Sequence, residues 1–108
     1  QQASGPNIRT GPVMTLTRSY SLLAAPGKEA QLEEALGALA GALGKADGCK
    51  GTQILRNLDQ PGHYRFMENW AGEASRTAAG RGVDKAIMDR LMSALAEPPG
   101  TENYDVMD

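Results

Sequence analysis

The stretch Gly62–Trp70, GHYRFMENW, carries the only His, the only Phe and the only Trp of the chain, with one of its three Tyr. In a protein with 5% aromatic residues, that density marks either a packing strand or the wall of a pocket for a flat ligand. Alternation sorts the side chains. Tyr64, Phe66, Glu68 and Trp70 fall on one face of an extended segment, and Arg65, Met67 and Asn69 on the other. Glu68 therefore shares a face with three rings. A carboxylate held away from water is either paired or raised in pKa, and such a group is a candidate proton acceptor. Trp70 combines a flat face with one N–H donor, which takes a backbone acceptor when the ring serves packing alone. His63 follows Gly62 in a turn. With no second His and no Cys beside it, it builds neither a zinc site nor a catalytic triad.

The elements that position this face are legible in the periodicity. Val13–Leu23 alternates, with Met14, Leu16, Arg18, Tyr20 and Leu22 on one parity, and predicts a half-buried strand. Pro26 and Gly27 supply a turn. From Lys28 to Leu43 the period changes: Leu32, Leu36, Leu39 and Leu43 draw one stripe along a helix. Gly37 and Gly41, each costing about 1 kcal/mol against Ala in a helix, are expected to admit the close approach of another backbone. Cys49–Leu58 and Tyr64–Trp70 read as two strands of an antiparallel hairpin around Asp59, Pro61 and Gly62. Cys49 itself reads as a small buried apolar residue. Glu73–Ala79 predicts a short helical turn interrupted by Gly80 and Gly82. A second main helix is expected from Val83 to Ala96, with Val83, Ile87, Leu91 and Leu95 four apart and Met88 and Met92 beside them. The Pro-Pro-Gly run stops it, and TENYDVM is a last strand.

The order β-α-β-β-α-β in so short a chain predicts an α+β, ferredoxin-like antiparallel sheet with both helices on one face. The ring-rich parity is the natural partner of those helices. The mixed parity of Arg65, Met67 and Asn69 is left for water or for the sheet of a second subunit.

The 108 residues fit one domain, with 41% hydrophobic residues but few aromatic ones. So thin a core favours burial against a second copy. A net charge of -2 without a basic stripe points away from nucleic acid. No apolar run approaches the roughly 20 residues that cross a bilayer. A single cysteine gives no internal disulfide framework and no Cys-rich zinc site, and it fits a reducing cytoplasm. The segment 1–12 is polar, without the charged and apolar regions of an intact signal peptide. It is expected to be a poorly ordered extension, with the domain spanning 13–108.

Three phrases together resemble the antibiotic biosynthesis monooxygenase family, whose members are dimeric α+β barrels. They are APGKEAQLEEAL after the first strand, ADGCKGTQILRNLDQPGHYRFMENW across the hairpin, and ALAEPPGTENYDV at the end. The sharpest matches are Gly48-Cys49, the DQPG turn, and Glu68-Asn69-Trp70, where the family shows a Glu two residues before a Trp. The resemblance implies a homodimer with facing sheets and a pocket between sheet and helices in each subunit. It also implies oxidation of electron-rich phenols or quinols by molecular oxygen, with no metal, flavin or haem. Other members degrade haem.

On that resemblance Trp70, Glu68 and Tyr20 are the candidate catalytic residues. Trp70 would stack on the substrate and donate its N–H to a substrate oxygen. Glu68 would take a phenolic proton, and Tyr20 would hold a second oxygen. Phe66, Tyr64, Arg18, Met88 and Leu91 would line the pocket, with Arg81 on a loop that could close over an anionic ligand. Each has a bland alternative: a packed ring, a paired carboxylate, a surface charge. The chain also departs from its relatives. Tyr20 falls near the place of the Asn of haem-degrading members, and no His follows Trp70 where theirs ligates haem, so haem degradation is not expected. Phe66 stands where some phenol-oxidising members pair an Asn with the Trp four residues later. That departure keeps open a second reading, a non-catalytic dimeric barrel that binds a small hydrophobic ligand or a partner protein. A deep, partly polar cavity beside Trp70 would favour ligand chemistry; one filled by Met88, Leu91 and Met92 would not.

Overall fold

The apolar-polar alternation of the first strand folds as expected in the computed structural model, which describes residues 15–107. The expected extension at 1–12, together with Val13 and Met14, lies outside the described residues. Strand β1 is Leu16–Leu23, followed by helix α1 Glu29–Leu43, strands β2 Cys49–Arg56 and β3 His63–Trp70, helices α2 Glu73–Arg81 and α3 Lys85–Ser93, and strand β4 Gly100–Asp105. The four strands form one antiparallel sheet in the order β2-β3-β1-β4. Two central strands flanked by the outer pair, with the helices on one face, is the ferredoxin-like α+β arrangement.

Register decides which side chains meet. Across β1 and β3, Leu16 faces Trp70, Arg18 faces Glu68, Tyr20 faces Phe66 and Leu22 faces Tyr64. These eight residues share the helix-covered face. Tyr64, Phe66, Glu68 and Trp70 are all buried there. The α1 stripe of Leu32, Leu36, Leu39 and Leu43 is buried against them, with Ala35 filling the space between. Leu91 of α3 and Ala94 complete the core. Gln31 of α1 ties the two helices together, its side-chain amide donating to the carbonyl of Arg90 at 3.0 Å and to Ser93 at 2.9 Å.

Four expectations about the elements need correction. Gly37 and Gly41 are exposed, and a Cβ on either would meet nothing within 4 Å, so they admit no backbone neighbour within the chain. The segment after β3 is a full helix, because α2 runs through Gly80 and stops only at Gly82. A single helical glycine is a modest cost that flanking helix formers absorb. Helix α3 starts later than Val83, since Asp84 caps it by accepting from the Ala86 amide at 2.9 Å. It also stops earlier than Ala96. The chain there pairs with the end of β1 instead, Ala25 donating to the Ala94 carbonyl and Ala96 to the Leu23 carbonyl, each at 2.8 Å.

One glycine is sterically required. Gly48 has φ +84°, and a Cβ there would lie 2.3 Å from the Ser75 hydroxyl of α2. Its carbonyl accepts from the Ala71 amide at 2.7 Å. The turn before β2 is thereby held against the chain just past Trp70 and against the first turn of α2. That contact sets where α2 lies relative to the end of β3.

Among the described residues, no element covers the opposite face of the sheet. Thr17 donates its hydroxyl to Asn69 at 2.6 Å, and Arg65 donates to the buried Ser19 hydroxyl at 2.8 Å. Leu55 and Tyr104 stand exposed.

Candidate active site

Between the helix-facing side of the sheet and the three helices lies a cavity of about 160 Å³. Its apolar part is made by Leu36, Leu39 and Leu43 of α1 with Val83, Leu91 and Met92; Met88 also lines it. Phe66 and Trp70 form the floor from β3. Its polar groups are Tyr20, Glu68 and Arg76. The methionines line this space without filling it, and both keep substantial outward exposure.

Glu68 and Trp70 form one unit. The indole N–H donates to Glu68 Oε1 at 2.9 Å, and both residues are buried, Glu68 at 4% exposure and Trp70 at 0%. Two residues apart on one strand, they point the same way by the pleat alone. The acceptor of the indole is thus a carboxylate, where packing alone predicts a backbone carbonyl. Burial raises the Glu68 pKa above its ordinary value, opposed by the Trp70 hydrogen bond and by the charges of Arg18 and Arg76. A carboxylate with one oxygen held by an indole and poorly solvated is suited to receive a proton from a ligand.

Tyr20 stands at the same end. Arg18 donates its Nε–H to the Tyr20 hydroxyl at 2.8 Å, and the guanidinium carbon lies 5.4 Å from the ring centroid. Burial, then the Glu68 charge, raises the Tyr20 pKa, with Arg18 opposing. The phenol therefore stays protonated at neutral pH. Its oxygen is occupied as an acceptor, so its own O–H is available as a donor. Arg18 does not line the cavity; it acts through Tyr20, with its other end donating to Asn103 at 3.1 Å.

Besides Arg18, two more of the residues expected in the pocket lie elsewhere. Tyr64 shares the ring-rich face but sits toward the other end of the strand, where its hydroxyl donates to Glu33, which also accepts from Arg56 at 2.9 Å. Arg81 is exposed at the C-terminal end of α2 and does not reach the cavity. His63 opens β3 half-buried, rather than standing free in the turn. Cys49 is half-buried against the core.

The residue missed was Arg76. Arg76, Gly80 and Val83 all line the cavity, four and then three residues apart. That is one helical face. Once the segment is taken as a helix through Gly80, Arg76 points inward and Arg81, one step of about 100° past Gly80, points away. The Arg76 terminal nitrogen donates to Glu73 and to Thr77, while its Nε–H is buried with no hydrogen-bond partner. An orphaned buried donor costs about 1–3 kcal/mol, more when charged. Among the described residues no group of three or more His, Cys, Asp and Glu is placed to hold a metal ion. No helix among them is long and apolar enough to cross a membrane.

Sequence and structure comparisons converge. The antibiotic biosynthesis monooxygenase family model matches residues 17–80, more than half of the chain. A Caulobacter crescentus CB15 protein, provisionally designated an antibiotic biosynthesis monooxygenase, superposes with a TM-score of 0.79 at 24% identity, covering 88% of this chain and 92% of that one. A protein of unknown function from Nitrosomonas europaea gives 0.76 at 25% identity over 91% and 94%. A Pseudomonas aeruginosa protein gives 0.79 at 20% identity over 91% and 100%. No curated protein matches. At these identities the structural likeness speaks to the fold.

Proposed function

Since the chain belongs to the antibiotic biosynthesis monooxygenase family, we propose that its cavity oxidises an electron-rich aromatic or quinol with molecular oxygen, without a bound cofactor. The observation that carries this reading is the Glu68–Trp70 pair at the polar end of a largely apolar cavity. Glu68 takes the phenolic proton, and the indole N–H keeps that carboxylate oriented. The Tyr20 O–H donates to a substrate oxygen and stabilises the charge that builds there. The deprotonated ring is electron-rich enough to reduce oxygen. For a quinol, one oxygen atom enters the ring and the other leaves as water with two substrate hydrogens. All four electrons come from the substrate, so no external reductant is consumed. The apolar walls keep water from the reacting anion.

The test is oxygen uptake by metal-free protein across a panel of hydroquinones and anthrones, beside a Trp70→Phe variant. Uptake above the autoxidation blank that falls in the variant supports the reading. No uptake across the panel moves it to a binding module for a small hydrophobic ligand. One observation favours that second reading: the Trp70 N–H is already committed to Glu68, and Phe66 offers no hydrogen bond in its place.

We also propose that the open sheet face meets the same face of a second copy, as in the family's homodimers. Leu55 and Tyr104 are exposed at 43% and 49% on that face, beside Met67 and over the small, buried Thr17 and Ser19 of the central strand β1, which suits sheet-on-sheet packing. Sedimentation at micromolar concentration should return twice the chain mass. A monomer would remove this assembly.

A further inference from the structure

Two properties of the cavity go beyond that reading: its size and its orphaned arginine. An apolar cavity of roughly 150 Å³ admits one benzene ring, an engineered example that sets the scale. The present cavity, at about 160 Å³, belongs to the same class. A three-ring phenol exceeds that volume. At the polar end, the Arg76 Nε–H is buried and unpartnered, with the rest of the guanidinium anchored by Glu73 and Thr77. Native proteins leave few buried donors unmet. A guanidinium N–H makes its strongest bonds to carboxylates and other oxyanions.

We propose that the site takes a single-ring aromatic acid: a phenol or quinol carrying one carboxylate, which pairs with the guanidinium of Arg76 in the cavity lining while the ring lies on the apolar wall and a hydroxyl meets Glu68. This rests on the cavity being the substrate site. The charges permit it. Arg18 and Arg76 balance Glu68 and Glu73, and burial favours the protonated form of Glu68, so one further anion is not repelled by a net negative site. Attraction to the Arg76 cation draws the carboxylate to that side chain and leaves the hydroxyl for Glu68. Arg76 then acts as the residue that selects the substrate.

Calorimetric titration without oxygen tests this independently of turnover. The probes are 2,5-dihydroxybenzoate, its uncharged analogue hydroquinone, and anthracene-9-carboxylate as a three-ring acid. Wild-type protein should bind the dihydroxybenzoate at least about tenfold tighter than hydroquinone, the scale of one charge-assisted hydrogen bond, and should bind the three-ring acid more weakly still. In Arg76→Gln the preference should collapse to within about threefold while hydroquinone still binds, which general misfolding would not produce. Arg76→Lys keeps a cation without the planar guanidinium and should fall between. Equal affinity of the two single-ring probes in wild type overturns the proposal without reference to any variant. Retention of the preference in a folded Arg76→Gln, or tighter binding of the three-ring acid, also overturns it. An Arg76-dependent preference with no oxygen uptake on any substrate sinks the oxygenase reading and leaves this one standing. Uptake on hydroquinone with no carboxylate preference does the reverse.

Discussion

Replacing Glu68 by Gln is expected to cut oxygen uptake by about 100- to 10,000-fold, the contribution of a positioned general base, while leaving the fold at least as stable at neutral pH. The amide has nearly the same shape and keeps an oxygen for the Trp70 N–H, which lies 2.9 Å from Glu68 Oε1. What it loses is basicity and charge. The charge is the part that burial opposes, since it raises the Glu68 pKa. The folded protein thus takes up this proton at a higher pH than the unfolded chain. The contribution of Glu68 to stability is full below the unfolded carboxylate range and is lost as pH rises through the folded value. Thermal melts at pH 5 and pH 8 isolate the effect, because every other titrating group is common to both proteins. Wild type should lose ground to Glu68→Gln between those two values. The opposite trend would mean that Arg18, Arg76 and the indole hold the carboxylate ionised, and a base of low pKa would be a poor acceptor. Unchanged uptake would remove Glu68 from the chemistry.

Phe66→Ala is expected to destabilise the fold by about 3–5 kcal/mol, the usual cost of emptying a fully buried phenylalanine site. Phe66 is 0% exposed, faces Tyr20 across the β1–β3 ladder, and lies 6.2 Å from the Tyr20 ring by centroid. Against a total stability of about 5–15 kcal/mol for a small domain, the loss is large and should show as a marked fall in the urea midpoint with an unchanged slope. The same truncation removes part of the cavity floor. If the space stays open, two-ring acids should bind the variant more tightly than they bind wild type. A loss under about 1 kcal/mol, with no gain in ligand size, would show that the walls collapse into the gap. Phe66 would then be a packing residue only.

The two expectations draw on one face of β3, and that face was legible before any coordinates. Alternation along Tyr64–Trp70 and the four-three-four spacing of Leu32, Leu36, Leu39 and Leu43 are local properties of the chain. A strand or helix obeys them wherever it lies. For the same reason Glu68 and Trp70 could be placed side by side, and Tyr20 and Arg18 on a common parity, from sequence alone. The element order then leaves few topologies. Harder to see were quantities set by residues far apart in the chain. Arg18 meets Glu68 and Tyr20 meets Phe66 only through the β1–β3 register. Tyr64 shares the correct face but lies too far along the strand to reach the cavity, and its hydroxyl is claimed by Glu33 of α1. Arg76 enters the site because α2 continues through Gly80 and is seated against Gly48, whereas a glycine-punctuated sequence argues for a break. Local periodicity determined which faces exist and what they carry. Which faces meet, how much space they enclose and which donor is left unpaired inside it were decided by tertiary packing, because those depend on distances that no single segment contains.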